Sequence, residues 1–338
     1  MLIKHIRHEL KLKYPFTISG FSRTFTPVIL LEINFEGYVG YGEASMVPYL
    51  GESFISAENF LAKVDLSRVS YPLDYDYLGK YLDDIETGNP AIKAAIDIAL
   101  HDLEGKIKNV PCYNLFNADP LKMPQTSVTI GIDTKEIVIQ KVLDAEEAKI
   151  LKVKLGSEED KILIETIRSV TDKPLYVDAN QGWTNKEKSL DLIFWLKEQG
   201  VQLIEQPMAK TNLASNSWIT ERSPLPIIAD ESVQRLQDIE IVKDAYHGIN
   251  VKLMKSAGMH EAHKMILRAR ELNLKILIGC MSETSVATLA AATLAPLCDW
   301  ADIDGPFLTS NNPFEKPNFA DGEWILDDKA GLGVIKNE

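Results

Sequence analysis

Between residues 126 and 305 the chain reads TSVTIG (126–131), ILKVKL (150–155), PLYVDAN (174–180), QLIEQP (202–207), PIIADES (226–232), GINVKLMK (248–255), LKILIGCMSE (274–283) and CDWADIDG (298–305). Each is a short apolar run, and helical segments separate them. Strand and helix alternating at this rhythm imply parallel strands joined by crossover helices, and eight such strands point to a TIM-type barrel.

Upstream, the texture is different. LIKHIRHELKL (2–12) and PVILLEINFEGYVGYGEA (27–44) alternate apolar and polar residues, with Glu36-Gly37 as a turn signal. Asn89-Pro90 is a helix start, and AIKAAIDIALHDLEGK (91–106) carries Ile92, Ile96, Ala99 and Leu103 on one face, with Gly105 as the expected end. Downstream, Pro306 to Glu338 is rich in Pro, Gly and Asn and is expected to return to the N-terminal part. The expected domains are residues 1–118 and 119–305, with 306–338 as the returning segment.

Composition narrows the class. The chain has 338 residues, 36 Lys and Arg against 49 Asp and Glu, and a net charge of −13, with no basic block interleaved with aromatics. A nucleic-acid partner is not expected. No apolar run is long enough to span a membrane; Val286–Trp300 is broken by Thr288, Thr293, Pro296 and Asp299. The start, MLIKHIRHELKLK, has no apolar signal core, and the cysteines at 112, 280 and 298 suit no disulfide framework, so a cytoplasmic protein is expected. There is no Walker loop and no GxGxxG after a strand. His260 and His263 lack zincin spacing and read as surface helix residues.

Charged residues recur near the strand ends: Lys152 and Lys154, then Asp178, Glu205, Asp230 and Lys255, at steps from Lys152 of 26, 27, 25 and 25 residues. That step is one βα unit, and the C-terminal strand ends are where barrel active sites form. Asp178, Glu205 and Asp230 on adjacent strands would repel one another unless a divalent cation sat among them. All-oxygen ligands without His or Cys favour Mg2+, with Mn2+ as a second choice. The plain alternative is three separate surface carboxylates. Lys152 and Lys154 share a strand face, with Leu151, Val153 and Leu155 on the other, so both should point into the lumen. A polar edge strand is the alternative. Lys255 is expected across the barrel from that pair, which would give a base on each side of a substrate carbon. Asp302 and Asp304 could receive a cationic group or form a turn and helix cap. Arg23, in YPFTISGFSRTFTP (14–27), could clamp a carboxylate or be an exposed loop residue. Cys280 and Met281 read as packing.

GYVGYGEA, AIDIALHDLEGK, KVK, VDAN, IEQP, IADES, INVKLMKSAG and GCMSETSVA together resemble the enolase superfamily in its muconate-lactonizing-enzyme subgroup, over nearly the whole chain. The resemblance implies a modified (β/α)7β barrel under an α+β capping domain, whose loops at about 14–26 and 45–53 close over the barrel mouth. Within the subgroup the chain looks most like the dipeptide epimerases of Ala-Glu type. In those enzymes the counterparts of Asp302 and Asp304 hold the α-ammonium of the dipeptide, and that of Arg23 meets the glutamyl carboxylate. The implied reaction is 1,1-proton transfer at the α-carbon of the C-terminal residue. Asp178, Glu205 and Asp230 would hold magnesium, Lys154 and Lys255 would be the acid/bases, and Lys152 would stay charged beside the substrate carboxylate. Murein peptide recycling and a homo-oligomer are implied by the family alone. The alternatives are o-succinylbenzoate synthase, muconate cycloisomerase or N-acylamino acid racemase chemistry on the same site, or a non-catalytic barrel scaffold.

Overall fold

The computed structural model describes residues 1–18 and 21–337, with the side chains of residues 17, 18, 21 and 49 left aside. The N-terminal sheet is antiparallel, in the order β1 (Leu2–Ile18), β2 (Phe21–Phe35), β3 (Tyr38–Ser45). Glu36 and Gly37 turn the second hairpin with φ of 48° and 86°. The two adjacent positive values are what a tight two-residue hairpin requires.

The resemblance implies a loop at 14–26, but the described residues of that segment are strand. Both sides of it are strand, with Phe16 paired to Arg23 beyond a register shift after Lys11. Ser19 and Gly20, in that segment, lie outside the described residues.

The Pro90–Lys108 helix packs on this sheet. Gly40 and Gly42 let β3 lie directly on it: a Cβ on either would overlap the carbonyl oxygen of Ala99 or Ala95. Gly105 does not end the helix. It lies inside it, against the backbone of Gly331, and the helix stops at Asn109 in the left-handed conformation with φ of 52°. At the other end, Glu52 accepts the N–H groups of Ala91 and Ile92 at 2.8 and 3.2 Å, a cap supplied from the 45–53 segment.

The barrel consists of β4 (Ser127–Ile130), β5 (Ile150–Lys154), β6 (Leu175–Asp178), β7 (Val201–Glu205), β8 (Ile227–Ala229), β9 (Gly248–Lys252), β10 (Lys275–Gly279) and β11 (Trp300–Asp302). Neighbours in this order pair in parallel, and a parallel bridge between Thr126 and Ala301 joins the two ends. Crossover helices follow the first seven strands and, among the described residues, none of that kind follows the eighth, as a (β/α)7β barrel requires.

Alternation along the strands fills the lumen in layers. Ile150, Tyr176, Leu203, Ile228 and Leu277, with Trp300 against them, form a separate apolar plug. Two residues further along most of these strands come Lys152, Asp178, Glu205, Asp230 and Asp302. Leu151 and Val153 belong instead to the large core outside the barrel wall.

The apolar run after Val286 is explained by burial. The Ser285–Leu294 helix is buried along its whole length, between barrel and N-terminal sheet. Glu43 of β3 accepts from the Thr284 N–H and hydroxyl and from the Ala287 N–H, which docks the sheet onto this helix. The C-terminal segment touches both parts. Trp324 donates to the Ile303 carbonyl at 2.8 Å, whereas the Leu332 N–H reaches Asp102 at 2.8 Å. No helix among the described residues is long and apolar enough to cross a membrane.

Two glycine substitutions separate close approach from mere flexibility. Gly42→Ala should destabilise the protein by about 2 kcal/mol, as overpacking does. Gly79→Ala, in the Tyr75–Ile85 helix with open space around its Cβ position, should stabilise it by roughly 0.5–1 kcal/mol. Thermal melts of the two variants should move in opposite directions.

Candidate active site

The register of the barrel assembles the site. Lys154 pairs with Asp178, and Asp178 with Glu205, at the ends of β5, β6 and β7. Asp230 follows β8 directly. The carboxylates of Asp178, Glu205 and Asp230 each present an oxygen within 4.8 Å of the others, and all three are buried. Three carboxylate oxygens with no His or Cys among them are the donor type that magnesium or manganese takes.

Amines from the same ring balance the acids. The Lys152 amine lies 2.6 Å from both Glu205 and Asp302 and 3.3 Å from Asp178. Lys154 meets Asp178 at 2.7 Å, and Lys252 meets Asp230 at 2.7 Å. Asn250 donates to the other Glu205 oxygen at 2.7 Å. It has room because Gly279 lacks a Cβ, which would collide with its amide.

The electrostatics follow from burial and neighbours. Burial alone would lower the Lys152 amine, but Asp302, Glu205 and Asp178 outweigh it and hold the amine well above its ordinary value. Burial would likewise raise Asp178, yet Lys154 and Lys152 bring it below the usual range. Asp230 lies well below it, since Lys252 and Lys255 overcome its burial. Glu205 goes the other way: burial and then the Asp178 charge push it up to about 8, against the pull of Lys152. Glu231, beside the ring, is raised to about 7 by burial and then by Asp230 and Asp178.

Above the ring lies a cavity of about 390 Å3. Lys152, Lys154, Asp230 and Lys252 form part of its floor, and Asp302 and Asp304 part of its wall. Asp302 accepts from the Ser127 hydroxyl at 2.7 Å, and Asp304 from the Thr129 N–H at 2.7 Å. Burial and then the Asp302 charge raise Asp304 to about 6. Arg23 reaches the cavity from the β1–β2 hairpin. Its guanidinium lies over the Phe16 ring at 5.3 Å and donates to the Ser282 hydroxyl at 3.0 Å. Cys280 and Met281 also line the cavity, as do Asn180 and Glu231.

One expected residue is not there. Lys255 does not line this cavity. Its amine is turned away from the lumen and bound to the Asp230 carbonyl and carboxylate and to the carbonyls of Val233 and Asn250. The amine facing the Lys152/Lys154 side is Lys252, the last residue of β9. The constant spacing misled because the β8–β9 crossover is short: its helix is only Ile239–Val242, so the strand ends 22 residues after Asp230. The alternation of GINVK, with Asn250 and Lys252 on one face, is the signal that finds it. Gln206 was also overlooked. Its side-chain oxygen accepts the N–H groups of Asp230 and Ser232 at 3.0 and 3.1 Å, which fixes the backbone that carries the third acid.

Comparison with known proteins adds two family matches. Residues 3–116 match the mandelate racemase / muconate lactonizing enzyme N-terminal domain, and residues 137–338 match the enolase C-terminal domain-like family. An L-Ala-D/L-Glu epimerase of Bacteroides thetaiotaomicron is 49% identical over 330 residues, covering 97% of this chain and 86% of that protein. The structure of the substrate-liganded L-Ala-D/L-Glu epimerase of Bacillus subtilis superposes with a TM-score of 0.89 at 26% identity, covering 99% and 98% of the two chains. A dipeptide epimerase of Enterococcus faecalis V583, complexed with Mg and L-Leu-L-Tyr, gives a TM-score of 0.89 at 31% identity and 98% coverage of both.

Glu205 makes cation binding pH-dependent. With its carboxyl raised to about 8 in the metal-free protein, it is mostly protonated at pH 7, and a cation must displace that proton. Mg2+ affinity should therefore rise with pH up to about 8 and level off above it. Calorimetry at pH 7 in buffers of different ionisation enthalpy should show proton release on binding. Equal heats in all buffers would contradict this.

Proposed function

The chain belongs to the mandelate racemase / muconate lactonizing enzyme family of the enolase superfamily, and from that membership and the site geometry we propose that it is a magnesium-dependent dipeptide epimerase acting on Xaa-Glu substrates such as L-Ala-L-Glu. The observation that carries this reading is one cavity with two opposed amines and an acidic pair. In the eight-stranded order β5 and β9 stand four places apart, so Lys154 and Lys252 face each other across the lumen. Asp302 and Asp304 border the same space.

The reaction moves the α-proton of the C-terminal residue from one face to the other. Lys154 would take it from one epimer and Lys252 return one on the opposite side, the roles exchanging for the reverse direction. Magnesium held by Asp178, Glu205 and Asp230 would supply positive charge beside the substrate carboxylate as the proton leaves. In the metal-free site Lys154 and Lys252 are occupied by Asp178 and Asp230. With those carboxylates holding a cation, both amines would be released toward the substrate carbon. Lys152, surrounded by three acids, stays an ammonium and adds fixed charge next to the carboxylate.

Asp302 and Asp304 would hold the α-ammonium of the N-terminal residue. Asp302 already meets Lys152 at 2.6 Å, but an acidic pair on the cavity wall suits an ammonium, and lyase, cycloisomerase and N-acylamino acid racemase chemistry present none there. Arg23 would receive the glutamyl carboxylate. A cytoplasmic enzyme with this activity would serve murein peptide recycling.

Incubating L-Ala-L-Glu with enzyme and Mg2+ in D2O should give exchange and inversion at the glutamyl α-carbon, read by NMR. Lys154→Ala and Lys252→Ala should each lower epimerisation by roughly 10²–10⁴-fold, each with exchange surviving from one epimer only. Epimerisation at the parent rate in both variants would refute the two-base assignment. Arg23→Met should lower kcat/KM for L-Ala-L-Glu by about 10–100-fold, the worth of a charge-assisted hydrogen bond. It should leave a neutral dipeptide such as L-Ala-L-Met nearly unaffected.

A further inference from the structure

Lys255 is left without a place in the reaction, yet it is among the most completely enclosed side chains of the protein, at 1% exposure. It sits in the turn after β9, where its own N–H and that of Ser256 both bond the Lys252 carbonyl, at 2.9 and 3.0 Å. Its amine meets four oxygens: the Asp230 carbonyl at 2.7 Å, the Asp230 carboxylate at 2.5 Å, the Val233 carbonyl at 2.9 Å and the Asn250 carbonyl at 3.0 Å. Such a cage suits a charged ammonium held in one position.

The cage divides the two oxygens of Asp230. Lys255 bonds Oδ1 from outside the lumen, while Oδ2 faces the cavity side and meets Lys252. Lys255 also ties Asp230 to β9, through the Asn250 carbonyl, and Asn250 in turn donates to Glu205. One buried amine thus links two of the three acids through the backbone of the next strand.

We propose that Lys255 is a positioning residue for the cation: it locks the Asp230 carboxylate so that Oδ2 alone is offered to the ion, and it does not exchange protons with the substrate. This rests on reading Asp178, Glu205 and Asp230 as the ligands.

The test is Mn2+ binding followed by electron paramagnetic resonance, without substrate, in the unmodified protein and in Lys255→Met. The Mn2+ dissociation constant should rise about 10–100-fold, as on loss of an outer partner of a metal ligand. At saturating Mn2+, exchange of the α-proton in D2O should fall equally for both epimers. Unchanged Mn2+ affinity, or loss of exchange for one epimer only, would overturn the proposal. Failure of the unmodified protein to bind Mn2+ would instead overturn the ligand assignment. If Lys255→Met does not fold, Lys255→Met/Asp230→Asn removes both members of the pair. Recovery of a folded chain would show that the amine serves Asp230, and continued failure that it serves the carbonyls alone, against the proposal.

Discussion

The structure depends on the mutual compensation of ionisable groups that have been taken out of water at the mouth of the barrel. Lys152, Asp178, Glu205, Asp230, Lys255 and Asp302 are all nearly inaccessible, and none would be tolerated there alone. Each acid is met by at least one amine: Asp178 by Lys152 and Lys154, Glu205 by Lys152, Asp230 by Lys252 and Lys255, and Asp302 by Lys152. Apolar layers below and outside keep water away. The plug of Ile150, Tyr176, Leu203, Ile228 and Leu277 closes the lumen beneath the charges. Such a network is stable only when complete, so a cation entering among the acids must change the partners of the amines. On the proposed reading, that exchange would couple cation binding to the readiness of the two amines.

The N-terminal sheet completes the site from above. Gly40 and Gly42 bring β3 onto the Pro90–Lys108 helix, and Glu43 between them and Ala44 docks on the Ser285–Leu294 helix of the barrel. Ser45 donates to the Ser282 carbonyl at 2.8 Å, and the Ser282 hydroxyl receives Arg23. Arg23, which lines the cavity, is therefore referenced to the barrel as well as to its own hairpin. On the proposed reading, reaction and selectivity would fall to different parts of the chain: strand ends for the first, the hairpin for the second.

Much of this was legible in the residues. Period-two alternation in ILKVKL separated the lumen-facing lysines from Leu151 and Val153, because a strand side chain has only two directions. The acids at the ends of VD, IE and IAD were visible because the first crossovers have similar lengths. Lys252 was hidden because that regularity breaks at the β8–β9 connection, where a four-residue helix replaces longer ones. Spacing counted through loops carries no geometry; alternation within GINVK does. The 14–26 segment hid as a loop because its Gly and Ser are turn formers, whereas pairing with a neighbouring strand is a tertiary fact. Gly105 hid for the same reason, since its contact with Gly331 comes from the far end of the chain. Gln206 and Asn250 have polar side chains whose role depends on what lies across the lumen, which no local pattern states.

The most direct measurement is anomalous diffraction from crystals soaked in Mn2+ with a dipeptide. The account predicts a single strong peak bonded to one oxygen each of Asp178, Glu205 and Asp230, with the Lys154 and Lys252 amines on opposite sides of the dipeptide α-carbon. A peak elsewhere, or both amines still bound to their carboxylates with the ion absent, would contradict it.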